Sequence, residues 1–107
     1  MSLPTDSDAR KEIPIYSGFI SYFPDAMAAV AAHSFANNEK HNPGEPLHWA
    51  REKSTDQLDA LARHLTELPD AKTLPDKIEL LKAIVWRGCA ELQLTIEEQE
   101  NGNARRR

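Results

Sequence analysis

Apolar residues recur at helical spacing in three stretches of the chain, over residues 25–38, 54–68 and 73–96. Spacing of three and four residues is typical of amphipathic helices, and no pair of alternating segments suggests a sheet. The pattern therefore predicts an all-α fold, a small bundle of three to four helices. It forms one domain over residues 13–98, because 107 residues are too few for two buried cores.

The second stretch has two unlike faces. Ser54 or Thr55 precedes the first acid and is predicted to cap the helix. An apolar stripe predicts the buried face, and it comprises Leu58, Leu61, Ala62, Leu65 and Leu68. The other face carries Asp56, Asp59, Arg63 and Glu67, and in an ordinary amphipathic helix such a face lies in water.

The third stretch is apolar nearly all round, from Ile78 to Ile96. A helix without a polar face is central in its fold or packs against a second chain. A short chain has too little other surface to cover it, so we expect a homodimer or homotetramer that completes the bundle. Gly88 in mid-helix predicts a close helix crossing.

The two ends are polar. Residues 1–12 are predicted to be disordered. The apolar segment that follows, broken by Pro14, Gly18 and Pro24, is predicted to be extended against the bundle with room for one short turn. Residues 99–107 are predicted to be a disordered basic tail. Its three terminal arginines are either a solvated end or a contact for phosphate.

Composition narrows the class of protein. The formal net charge is −4, which makes general nucleic-acid binding unlikely. No apolar run is long enough to span a membrane and no signal peptide is evident, so we expect a cytoplasmic protein without membrane contact. Cys89 is the only cysteine, which excludes an internal disulfide and predicts a buried, inert thiol.

Two acid pairs are candidates for a metal site. Asp56 with Asp59, and Asp76 with Glu79, each stand three residues apart, so each pair shares one helix face. Acids at this spacing on facing helices hold divalent ions in α-bundles, and oxygen ligands favour Mg²⁺, with Mn²⁺ as a substitute. Such pairs also arise by chance in a charged chain.

The loop before the second helix is a candidate binding element. Pro43, Gly44 and Pro46 make it stiff. Its side chains, together with one arginine of the following helix, offer an aromatic face and anion partners suited to a nucleotide, and they are His41, His48, Trp49, Arg51, Lys53 and Arg63. Packing and solubility alone would also explain them.

Three segments carry a resemblance to a known family: IPIYSGFISYFPDAMAAVA, HNPGEPLHWAREKSTDQLDALARHL and AIVWRGCAELQL. Together they resemble the largely phage-encoded dATP/dGTP diphosphohydrolase N-terminal domain family, which is related to the all-α MazG-type nucleoside triphosphate pyrophosphatases. The resemblance covers roughly residues 10–98.

The resemblance implies an oligomeric, Mg²⁺-dependent hydrolase of the host cytoplasm that cleaves a (deoxy)nucleoside triphosphate to the monophosphate and pyrophosphate. Asp56 and Asp59 match the family's first ligand pair, and Asp76 and Glu79 are the best matches to the second. Relatives carry Asp-Gly-x-x-His where this chain has Lys77 and Leu80 in place of the glycine and histidine. Glu67 and Asp70 are a substitute second pair.

Three hypotheses therefore compete. The first is the metal-dependent pyrophosphatase, with the four acids as ligands. The second, favoured by the missing glycine and histidine, is a catalytically silent helical module that binds a nucleotide or a partner protein. The third is a small DNA-associated phage protein that uses the terminal arginines.

Overall fold

A computed structural model describes residues 3–53 and 55–104. Four α-helices account for most of them: α1 Ser7–Lys11, α2 Pro24–His41, α3 Gln57–Glu67 and α4 Leu74–Ala104. Short 3₁₀ turns, Arg51–Lys53 and Leu68–Asp70, precede and follow α3. The described part of the chain contains no strand, so the predicted all-α fold class is confirmed.

The N-terminal region is more regular than the sequence predicts. The first twelve residues were expected to be disordered, yet Asp6 caps α1 by accepting a hydrogen bond from the Ala9 N–H at 3.0 Å. The next segment contains a short π-helical turn, Tyr16–Ile20, in the stretch that was predicted to be extended with room for one turn. Pro14 can start this turn because its missing N–H would have no helical partner there.

α3 and α4 form the main packed pair of the fold. The face of α3 that is turned inward differs from the predicted leucine stripe, because it includes two polar residues; it consists of Gln57, Ala60, Leu61, His64 and Leu68. Leu58 and Leu65 are exposed instead. Both stripes have helical spacing, so the sequence alone could not choose between them.

α4 crosses α3 at Gly88. A Cβ atom built on Gly88 would lie 3.8 Å from Leu61 Cδ1, so the predicted crossing is confirmed but leaves room for a methyl group. α4 also continues through residues 99–104, which were predicted to be disordered tail. Arg105 to Arg107 lie outside the described residues.

α2 packs more lightly against α4. The Trp86 indole N–H donates a hydrogen bond to Ser34 Oγ at 2.6 Å, joining the two helices. Cys89, on the same helix as Trp86, is exposed, contrary to the prediction of a buried thiol.

The loop after α2 has the predicted stiff form. Gly44 has a φ of 80°, a left-handed conformation that glycine adopts without strain. The buried Asn38 donates from Nδ2 to the Glu45 carbonyl at 2.9 Å, which ties the loop to the end of α2. This hydrogen bond fixes the position, relative to α2, of the loop that carries the candidate residues from His41 to Lys53.

Candidate functional site

The first acid pair lies at the start of α3, around Arg63. Asp56 occupies the N-cap position, and its Oδ2 accepts a hydrogen bond from Arg63 at 3.1 Å. Asp59, Arg63 and Glu67 line an open groove of about 450 Å³ along the outer side of α3. We call Asp56, Asp59, Arg63 and Glu67 the Arg63 strip. The strip alternates acids with one cation, so its own charges are partly neutralised.

The second pair lies at the start of α4. The Asp76 N–H donates to Thr73 Oγ1 at 3.1 Å, so Thr73 caps this helix. Lys82 forms an ion pair with Glu79, and its hydrogen bond is the main cause of a lowered pKa of Glu79. Both carboxylates are exposed.

The two pairs do not meet within one chain. Arg87 donates to Gln57 Oε1 at 2.9 Å, which places the start of α3 beside Arg87 of α4. α3 crosses α4 where Leu61 lies beside Gly88, and in the antiparallel pair the start of α3 lies beyond that crossing, away from the start of α4. At ~1.5 Å of rise per residue, Glu79 lies about 13 Å and Asp76 about 18 Å from Gly88 along the axis of α4, so both are at least that far from the start of α3. Oxygens that share one Mg²⁺ lie within about 4 Å of each other. The antiparallel arrangement causes the separation, because it puts the starts of successive helices at opposite ends.

No group of three or more histidine, cysteine, aspartate or glutamate side chains is arranged to hold an ion in residues 3–53 and 55–104. Glu67, the first member of the substitute pair, belongs to the Arg63 strip, while Asp70 lies in the following 3₁₀ turn.

The aromatic and basic loop residues divide into two groups. His41, His48 and Lys53 are exposed. Trp49 packs edge-on against Trp86 with ring centroids 5.7 Å apart, and the Arg51 guanidinium lies 4.4 Å from the centre of the Trp49 ring. Arg51 also pairs with Glu97 of α4. A base that stacked on the face of Trp49 covered by Arg51 would have to displace Arg51. The contacts of Trp49 and Arg51 with Trp86 and Glu97 hold the loop against α4.

Polar side chains lie between α2, α3 and α4, among them His33, Gln57 and His64, and the sequence did not predict them there. Gln57 is only 2% exposed, and its Nε2 has no hydrogen-bond partner. Burial is the main cause of a lowered pKa of His33 on α2, and nearby Lys82, His64 and Arg87 act in the same direction. The signal was present in the spacing, since Gln57 and His64 share a helix face with Ala60 and Leu61.

No protein-family model, no curated protein and no solved structure matches this chain. Among the helices that the structure describes, none is long and apolar enough to cross a membrane. Function therefore has to be argued from this chain's own geometry.

Proposed function

We propose that this chain is a catalytically silent helical module whose function is association with another protein chain. The observation that carries the proposal is its accessible surface of 8505 Å². A compact monomer of the same mass exposes roughly 6,000 Å². The excess, about 2,500 Å², is comparable to the area that one chain contributes to a large obligate interface.

The distribution of apolar residues supports the same conclusion. In the described part of the chain the buried hydrophobic residues are three alanines, Ala60, Ala83 and Ala90, and no large side chain is fully buried. Large apolar side chains on the π-helical turn and on α2, α3 and α4 are exposed instead, and they include Tyr16, Phe35, Leu58 and Ile78. Such a chain buries too little apolar surface to be stable as a single chain, because the burial of large apolar side chains supplies most of the free energy that stabilises a fold.

The dimensions agree with this interpretation. The radius of gyration is 16.6 Å, whereas a compact domain of this length has a radius of about 13 Å. The helices are therefore spread over a wider volume than a single compact bundle, as expected for a subunit that shares its core with another chain.

The test is the mass of the purified protein in solution, measured by light scattering, together with binding of the apolar dye ANS. We expect a particle of twice the 12.0-kDa chain mass or more and weak dye binding. A monomer that binds ANS strongly would indicate a different protein as partner and would still support the module. A monomer that binds no ANS would refute the proposal, because its apolar surface would then be covered internally.

The metal-dependent nucleoside triphosphate pyrophosphatase is the second candidate, and the Arg63 strip is the observation that favours it. The strip presents carboxylates beside an arginine that could receive phosphate, over an open groove. Bound Mg²⁺ would supply electrostatic stabilisation of phosphate transfer. In this case Asp76 and Glu79, or other acids of a second copy, would have to complete the ligand set.

Pure protein incubated with each dNTP and Mg²⁺ tests this second candidate by release of monophosphate and pyrophosphate. The silent module predicts no turnover above the buffer rate. If turnover occurs, Asp59→Asn should abolish it and the exposed Glu98→Gln, on α4 and away from the strip, should not. Turnover lost in Asp59→Asn would establish the enzyme and reject the silent module.

A further inference from the structure

The outer face of α4 carries a continuous row of exposed apolar side chains. Leu74, Ile78, Leu81, Val85 and Leu92 lie along it, and each is between 37% and 74% exposed. We call these five residues the α4 seam. The face turned inward lies on the other side of the same helix and includes the buried Ala83 and Ala90.

The spacing of the seam is the spacing of a coiled coil. Its positions follow one another at four, three, four and then seven residues, and Gly88 occupies the position inside that last interval. An average of about 3.5 residues keeps one stripe facing a neighbouring helix over several turns. In the described structure the buried Ala83 and Ala90 lie on the opposite side of α4 and Leu61 of α3 reaches Gly88 at the edge of the row, while the five seam side chains remain 37% to 74% exposed.

We propose that the α4 seam binds the α4 seam of a second copy of this chain, with the two helices antiparallel. The proposal rests on the proposed association and names its partner and surface. Antiparallel pairing sets Leu74 against Leu92 of the second copy and Leu81 against Val85 of the second copy. Gly88, which packs against Leu61 of its own chain, leaves the row without a side chain at the level of Ile78 of the second copy.

Charge decides the orientation. Lys77 and Glu91 border the seam on the same side, one near each end. In an antiparallel pair, the residues that border one side of the seam meet the same side of the other helix, so Lys77 meets Glu91 of the second copy, twice. Lys82, on the other border, is turned towards Glu79. A parallel pair would instead bring the lysine-bearing ends of the two helices together.

The experiment measures the dissociation constant of the full chain by sedimentation for variants matched in exposure. Leu92 and Leu58 are 61% and 59% exposed, and only Leu92 belongs to the seam. We expect Val85→Asp and Leu92→Glu each to weaken association at least about 100-fold and Leu58→Glu to change it less than about threefold. Helix content, followed by circular dichroism, separates dissociation from unfolding.

Charge exchange tests the pairing without disturbing the apolar row. At low salt, Lys77→Glu and Glu91→Lys should each weaken association about fivefold, and the double variant should restore it. The orientation is read from disulfide formation in a Cys89→Ser background. Leu74→Cys mixed with Leu92→Cys should cross-link, while Leu92→Cys alone should not, because its two copies would lie about 27 Å apart along the axis.

Each result bears on a different claim. If the wild-type chain is monomeric at all concentrations, the seam dimer is refuted. If this monomer also binds no ANS, the proposed function is refuted as well. An oligomer unchanged by Val85→Asp and Leu92→Glu overturns the seam while leaving the association module intact. Cross-linking of Leu92→Cys with itself overturns the antiparallel orientation.

Discussion

The hydrogen bond between Trp86 and Ser34 makes the sharpest prediction about the stability of the fold. It joins α2 to α4 at 2.6 Å and is partly buried. Few other contacts hold α2 in place, so its removal should not be compensated nearby. We therefore consider Ser34→Ala, which removes the acceptor, Trp86→Phe, which removes the donor, and the double variant.

The magnitude follows from the environment of the bond. A neutral, partly buried hydrogen bond contributes about 1 kcal/mol net, and Ser34→Ala should cost about that much. Trp86→Phe should cost about 2 kcal/mol, because the ring also loses contact area against Trp49, whose centroid lies 5.7 Å away. The coupling energy between the two sites should be about 1 kcal/mol.

Urea denaturation followed by circular dichroism measures the three free energies of unfolding. Protein concentration must be the same throughout, because association stabilises the folded state by mass action. For a domain of this length, Ser34→Ala should lower Tm by about 4 °C. A coupling energy below about 0.3 kcal/mol would show that the indole N–H and the hydroxyl do not stabilise each other, and the described contact of α2 with α4 would be wrong.

Two other substitutions test the packing of α4 and the polar side chains between the helices. Gly88→Ala should raise Tm by about 4 °C, because alanine stabilises a helix by about 1 kcal/mol relative to glycine. The added Cβ would lie 3.8 Å from Leu61 Cδ1, an ordinary contact distance. A lower Tm in thermal denaturation would show that the two helices cross more closely than described. His33 has a folded pKa below 6.5, mainly through burial and next through Lys82. As the pH falls, the unfolded chain therefore binds a proton at this histidine at a higher pH than the folded chain does. The free energy of unfolding keeps its full value above pH 6.5 and decreases as the pH falls below it. The urea midpoint should therefore be lower at pH 5.5 than at pH 8. His33→Gln should remove the decrease in stability between pH 8 and pH 5.5, and an unchanged pH dependence would contradict the role of His33. The folded pKa values of Glu79 and Glu97 lie below 4.5, so the stabilisation from these two carboxylates is lost only at lower pH.

Helical periodicity was enough to predict the fold class and the approximate position of three helices, because apolar spacing is a local property of the chain. Gly88 as a crossing point was also predictable from the sequence, because a glycine in the middle of an apolar helix marks a close approach. The sequence was less informative about α1 and the π-helical turn, where short helices depend on single capping and backbone contacts.

Two results depended on tertiary structure. Two apolar stripes compete on α3, and only packing against α4 shows that Gln57 and His64 face inward while Leu58 and Leu65 do not. The two acid pairs have the same local spacing whether or not they converge. The antiparallel hairpin places Asp56, at the start of α3, and Glu79, at the start of α4, at opposite ends of the helix pair. Local spacing fixes which residues share a helix face, whereas the direction in which neighbouring helices run decides which faces and which ends meet.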